Sequence, residues 1–246
     1  MTSEHPSNLM DSRMMSSLDF DGDYGHTYTK SIRHSVPGYD VLHEIAIAAV
    51  RATVATASRV LVVGPGPGEQ LNNLLNACPD AQFFVLEPSE QMLNFCRKAV
   101  TAAADRERCV LIQGALEEAT LTSLGPEDFN LVICHNVLHL FEEAQQVPML
   151  RLLAQSTAVR GTLLLSSYSE PDEQIATEQI MHVGLQRLRD RGLTDTQVDA
   201  IRTTRNRVVF SLNPAVVSTV LLSENLSEPL QLYQGLFSRL WLSTRT

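Results

Sequence analysis

Arg59-Val-Leu-Val-Val-Gly-Pro-Gly-Pro-Gly-Glu69 is the stretch on which the reading of this chain turns. Arg59 to Val63 is a short aliphatic run without polar alternation, as expected of a strand buried on both faces of a parallel sheet. Gly64, Gly66 and Gly68 follow, and without a Cβ they let backbone and ligand approach closely. A helix is predicted to open at Gly68-Glu69 and to carry Leu71, Leu74 and Leu75 on one face. Strand, glycine turn and helix make the first unit of a nucleotide-binding α/β domain. The spacing is G-x-G-x-G rather than the dinucleotide fingerprint, and Pro65 and Pro67 have no N–H to offer a pyrophosphate. That argues against a nicotinamide dinucleotide or a nucleoside triphosphate. A ligand that needs only close approach remains.

The flanking sequence repeats the unit. Gln82 to Leu86 reads as a second strand ending in Glu87-Pro88, with Ser89 as N-cap of a helix striped by Met92, Leu93, Cys96 and Val100. An acid at the end of the second strand, about 20 residues past the glycines, is where nucleotide folds hold a ribose diol. Taken alone, Glu87 is equally a solvated strand-end acid. Cys109 to Gln113 is a third strand, followed by Gly114-Ala115-Leu116-Glu117. Phe129 to Cys134 is a fourth, leading into His135-Asn136-Val-Leu-His139 at the carboxyl edge, where α/β sheets bind ligands. Pro148 suits the first turn of a helix through Leu152, Leu153 and Gln155 that ends near Arg160-Gly161, and Thr162 to Ser166 is the fifth strand. Five alternations predict a doubly wound, mostly parallel α/β sheet.

The ends of the chain differ in character. Tyr24 to Pro37 mixes aromatic and basic residues without a clean period, then meets a turn and a helix carrying Leu42, Ile45, Ala46 and Ala49. It reads either as a lid over the site or as a strap on the surface. Beyond the fifth strand, Glu173 to Arg191 and Thr194 to about Arg205 read as helices, the second opened by the capping box Thr194-Asp-Thr-Gln197. Neither precedes an evident parallel strand, so the pair is expected to cover the carboxyl edge. Pro214 to Glu224 is a further helix, and Leu230 to Gln234 and Phe237 to Ser243 form an antiparallel hairpin around Gly235. Its residues Leu236, Phe237, Leu240 and Trp241 could pack internally or on a second copy in a homodimer.

Composition bounds the function. The 246 residues, 44% hydrophobic and 19% charged, suit one globular α/β domain. A net charge of −9 disfavours a nucleic-acid backbone and leaves a small metabolite as the better partner. No apolar run approaches the ~20 residues of a membrane span. Residues 1–17 lack a basic segment before an apolar block, so a mobile tail is expected rather than a signal peptide. Cys78, Cys96, Cys109 and Cys134 form no C-x-x-C pair, which suits reduced thiols in a cytoplasmic protein.

With these motifs in place, the chain resembles the class I S-adenosylmethionine-dependent methyltransferases. The resemblance rests on Val62-Val-Gly-Pro-Gly-Pro-Gly68, the second-strand acid Glu87 and the block Phe129 to His139. Arg33-His-Ser-Val-Pro-Gly-Tyr39 and the covering helices are similar to the carboxy-S-adenosylmethionine synthase branch. The resemblance implies a Rossmann-like, seven-stranded sheet, with residues 1–23 as tail and 24–246 as one S-adenosylmethionine-binding domain. It also implies a lid over 24–40, a helical cover over 171–210, and an enzyme of small-molecule, secondary metabolism.

By the same resemblance, Gly64, Pro65, Gly66 and Gly68 would lie under the methionine moiety, and Glu87 would hold the ribose hydroxyls with Pro88 beside it. Gln91 would border the adenosine; Gly114, Ala115 and Leu116 would flank the adenine; Arg33, Tyr39 and Cys134 would complete the cofactor set. Ala115 and Asn130 stand where the family often has acids. Arg205 falls near an arginine that reads a carboxylate on the sulfonium substituent in the carboxy-S-adenosylmethionine branch.

For catalysis, His135 and His139 are the candidate bases, since imidazole titrates near neutral pH. Tyr24, Tyr28, Tyr168 and Asn136 could orient an amine without charge. Two histidines at i, i+4 could also bind metal, but no third ligand is placed, and no metal is expected. Three outcomes compete: methyl transfer to a small acceptor; closure of the cofactor's own amine onto its side chain to give azetidine-2-carboxylate and methylthioadenosine; or a non-catalytic binding module that has kept the fold, disfavoured because the cofactor positions are mostly intact.

Overall fold

A computed structural model describes residues 18–54, 59–100, 103–125 and 128–246. The tail expected over residues 1–17 lies outside them. Seven strands form one sheet in the order β3-β2-β1-β4-β5-β7-β6. They are β1 (Arg59–Val63), β2 (Gln82–Glu87), β3 (Cys109–Gln113), β4 (Phe129–His135), β5 (Thr157–Tyr168), β6 (Leu230–Gly235) and β7 (Ser238–Thr244). Neighbours among β1 to β5 pair parallel, and β7 runs antiparallel to both β5 and β6. The order reverses at β1, between β2 and β4, so the crevice for a ligand opens where β1 and β4 end.

The lack of alternation in β1 has a direct cause. Leu61 and Val63 join a buried cluster on one face of the sheet, while Val60 and Val62 join another on the opposite face. Successive side chains point to opposite faces, and here both are covered. Each such side chain contributes about 1.5–3 kcal/mol by burial.

The helices are α1 (Asp23–Ser35), α2 (Tyr39–Thr53), α3 (Leu71–Ala77), α4 (Glu90–Ala99), α5 (Ala103–Glu107), α6 (Glu118–Ser123), α7 (Glu143–Gln155), α8 (Gln174–Asp190), α9 (Asp195–Arg202) and α10 (Pro214–Ser223). Ser89 caps α4 by accepting the Met92 N–H, and Thr194 opens α9 with a complete capping box. Pro214 opens α10 behind the Asn213 cap.

Four expectations are corrected. The helix after the glycine turn starts at Leu71, because Gly68 holds φ +75° and cannot sit in a helical turn. Pro148 lies inside α7 rather than in its first turn. That helix ends at Gln155, and β5 begins at Thr157, since Arg160-Gly161 is an irregularity in the strand rather than a helix end. Arg160 has φ +65°, and a Cβ on Gly161 would lie 2.7 Å from the Ala158 carbonyl, so glycine is what this bend requires. Finally, the aperiodic segment from Tyr24 is helix α1. Its inner stripe is Tyr24, Tyr28 and Ile32 at four-residue spacing, continued ahead of the helix by Phe20, and the three aromatic rings meet edge to face or tilted at 5.3–5.9 Å.

Candidate active site

The glycine turn leaves β1 with Gly64, Gly66 and Gly68 at φ +61°, +58° and +75°. A Cβ on Gly64 would stand 2.4 Å from Val137 Cγ2, and one on Gly66 would meet the Tyr28 ring at 3.5 Å. Between Pro65 and Pro67 the sole amide is that of Gly66, and it donates to Glu87 Oε2 at 3.2 Å. Gly64 N–H goes to the Leu86 carbonyl and Gly68 N–H to that of Pro65. All three glycine amides are therefore spent within the protein, which is why this turn makes a floor and not a phosphate cradle.

Glu87, 5% exposed at the end of β2, also accepts the Ser89 N–H at 3.0 Å. Burial pushes its carboxyl up to about 7 against the pull of these two N–H groups, and the Asp21 carboxylate adds to the rise. A carboxylate has about four acceptor positions, so two remain for hydroxyl donors. Asp21 and Phe20 tie the N-terminal segment to the start of α4. Asp21 accepts from Ser89 Oγ and the Gln91 N–H, while Gln91 Nε2 donates to the carbonyls of Phe20 and Gly22.

Across the crevice, β4 ends in His135 and Asn136. Asn136 takes the left-handed conformation, φ +57°, and its N–H donates to the Ser166 carbonyl at 2.8 Å. His135 Nδ1 is 3.1 Å from Ser166 Oγ, and its ring meets His43 edge-on at 5.3 Å. Burial, then His43, hold His135 well below the usual imidazole range; burial takes His43 down to about 4. His43 Nε2 is buried without a hydrogen-bond partner among the described residues. His139 sits on a single 3-10 turn, Leu138–Leu140, where its Nδ1 accepts the Tyr168 N–H at 3.3 Å. Burial moves it to about 4, so its ring is neutral and the proton rests on Nε2. As placed, His139 offers a donor, not a base.

Three cationic or phenolic candidates are engaged. Arg205 grips Glu170 with both forks, at 2.5 and 2.6 Å, and Tyr168 Oη donates to the same carboxylate. Arg33 binds Asp40 and Glu69 and lies over the Tyr39 ring at 5.3 Å. Burial raises Tyr24, Tyr28 and Tyr168, so all three stay protonated.

Two cavities divide the candidates. One of about 700 Å³ is lined by Tyr24, Tyr28, Asn136, His139, Tyr168 and Arg205, among others. A smaller one, about 40 Å³, is lined by Tyr28, Tyr39, Gly64, Pro65, His135 and Asn136 together with His43 and Glu69. Tyr28 and Asn136 belong to both. Arg33, Gly66, Gly68, Glu87, Pro88, Gln91, Gly114, Ala115, Leu116 and Cys134 line neither. Leu116 and Cys134 are buried in the core, with the Cys134 thiol pushed up to about 12, while Ala115 is exposed. Gly114 N–H donates to the Glu87 carbonyl. His43, Glu69 and Glu170 were missed. His43 could have been found as an imidazole on the buried face of α2, between Tyr39 and Ile47 at four-residue spacing. Among the described residues no group of three His, Cys, Asp or Glu side chains could hold a metal ion.

Residues 60–161 match the sequence family described as a methyltransferase domain. The fold is that of a class I methyltransferase. An O-methyltransferase family protein from Burkholderia thailandensis superposes with a TM-score of 0.61 at 15% identity, over 90% of this chain and 59% of its own. This chain thus spans about three fifths of that protein. Magnesium protoporphyrin IX methyltransferase from Synechocystis PCC 6803, with bound SAH, gives 0.61 at 16% identity over 93% and 98%. An N-methyltransferase from Bradyrhizobium japonicum WM9 in complex with S-adenosyl-L-homocysteine gives 0.53 at 16% over 85% and 88%. No curated protein sequence matches the chain. Within this methyltransferase fold the antiparallel β7 and β6 close the sheet, and Phe237, Leu240 and Trp241 are buried inside the chain.

Proposed function

We propose that the chain is an S-adenosylmethionine-dependent methyltransferase acting on a small, largely apolar acceptor. The observation that carries this is the junction of the two cavities: the glycine floor and the covered chamber meet at Tyr28 and Asn136. S-adenosylmethionine supplies a methyl group on a sulfonium that is already a good leaving group, so alignment is the main task left to the protein.

The residues present fit that ligand. Glu87 keeps two acceptor positions for a ribose diol, and Gly64 and Pro65 lie flat where a side chain would collide with Val137. The unsatisfied His43 Nε2 supplies a polar contact for the amino-acid arm beside that floor. On the acceptor side, the His139 N–H and Asn136 would orient the attacking atom while the tyrosines stay neutral. His135 and His139 are weak bases where they stand, so the acceptor would be one whose proton leaves readily or after transfer.

Closure of S-adenosylmethionine to azetidine-2-carboxylate needs no acceptor chamber, and the chamber of about 700 Å³ is what favours an external acceptor. A carboxylated sulfonium is also disfavoured, because Glu170 already fills the Arg205 fork. Mass spectrometry of incubations with S-adenosylmethionine, with and without an acceptor panel, tests the reading. Acceptor-dependent S-adenosylhomocysteine is expected. Methylthioadenosine and a cyclic amino acid from S-adenosylmethionine alone would overturn it.

A further inference from the structure

We propose that the far end of the large cavity, at Arg187 and Arg191, binds an acidic oxygen group, a carboxylate or phosphate ester, carried by an otherwise apolar ligand. Calling that ligand the methyl acceptor rests on the function proposed above; the anion site itself does not.

The charge of the lining is the first observation. The chain holds 28 acidic and 19 basic residues, so an unselected lining would carry more carboxylates than guanidiniums. This cavity is lined by four arginines and by no Asp or Glu. Two of the four are neutralised from outside the lining, Arg205 by Glu170 and Arg202 by Asp199. Arg187 and Arg191 form no ion pair among the described residues. Arg187 donates from Nη1 to the His34 carbonyl at 2.8 Å, which fixes the guanidinium between α8 and α1.

The helix end alone does not explain this pair. Cations at a helix C-terminus are favourable wherever they point. Arg189, between the two, turns outward to Asp195 at 2.8 Å. Arg187 and Arg191 are one turn apart, face the cavity, and repel each other; burial followed by Arg191 lowers the Arg187 guanidinium. A like-charged pair held at a cavity wall without a carboxylate is relieved by a bound oxyanion, to which a guanidinium fork donates two parallel hydrogen bonds.

The remaining wall sets the rest of the ligand. Leu185, Leu188, Ile201, Val208, Leu236 and Phe237 surround the space with apolar carbon. Tyr28, which covers Gly66, and His34, which holds Arg187, lie six residues apart on α1, about 9 Å along its axis. The acidic group and the reacting atom of one ligand would be separated by roughly that length.

Calorimetric titration of the full chain with dodecanoate, dodecyl phosphate and dodecanol tests the site, with S-adenosylhomocysteine titrated into the same preparations. At least one of the two anions should bind about tenfold or more tightly than dodecanol, and the tighter of them identifies the acidic group. Arg191→Gln, at an exposed side chain without hydrogen-bond or ion-pair partners among the described residues, should cut that preference several-fold at unchanged melting temperature. Arg187→Gln with Arg191→Gln should abolish it while dodecanol binding persists. Equal binding of the anions and the alcohol overturns the proposal, as does no binding of either anion or a preference that survives the double substitution. If S-adenosylhomocysteine fails to bind while the anion preference stands, the methyltransferase reading falls and the anion site does not.

Discussion

At the residue scale, Glu87 links the glycine floor to pH. Its folded carboxyl keeps a proton up to about 7, whereas an unfolded glutamate loses it near 4.5. Between those values the folded chain binds more protons, so stability falls as pH rises through this window, by about 3 kcal/mol in all. Glu87→Gln should remove that slope: the difference in melting temperature between variant and parent should widen in the variant's favour from pH 5 to pH 8. Ribose hydroxyls donate to the ionised form, so binding of S-adenosylhomocysteine near pH 6 should release a proton, and none near pH 8.5. Calorimetry in buffers of different ionisation enthalpy reads this directly. Gly64→Ala should cost about 1–2 kcal/mol for the left-handed backbone alone, plus the clash with Val137. Val137→Ala in the same chain should recover the clash but not the backbone cost, as thermal denaturation of the four variants would show.

At the element scale, the parallel core was legible because burial on both faces leaves unbroken aliphatic runs, and β1, β2 and β4 each begin within a residue of where those runs start. What escaped was anything set by a tertiary contact. The bend at Gly161 looked like a helix end because a glycine that admits a strand irregularity and one that stops a helix are the same letter. The stripe of α1 was hidden because tyrosines count as polar in a periodicity and as apolar in a packed interface. In the candidate site, the pairing of Glu87 with the glycine turn was readable from spacing, and the Gly66 N–H does meet the Glu87 carboxylate. The spent fork of Arg205 and the tautomer of His139 were not, since both depend on residues 35 and 29 positions away that only folding brings near. If the aromatic stripe is what seats α1, Tyr24→Ala should speed amide exchange across residues 23–35 and leave β1 and β4 protected.

At the scale of the whole molecule, a ligand on the glycine floor reports on the entire chain. S-adenosylhomocysteine at a hundred times its Kd should add about 2.7 kcal/mol to stability and raise the melting temperature by roughly 5–10 °C. Glu87→Ala should weaken that binding by about 1–3 kcal/mol through loss of charge-assisted hydrogen bonds. An unchanged shift would remove Glu87 from the site.

The contact between Tyr233 Oη and the Pro37 carbonyl, 2.6 Å long, joins residues 196 positions apart. It pins the joint between α1 and α2 to the outermost strand of the sheet, and the fit is tight enough that a Cβ on Gly38 would stand 2.3 Å from the same hydroxyl. That joint is therefore fastened by a strand drawn from far downstream in the sequence, while the other end of α1 is tied to Ser89 and Gln91 through Asp21. Fraying of the edge hairpin would release the joint between α1 and α2 while leaving the ties at Asp21 in place.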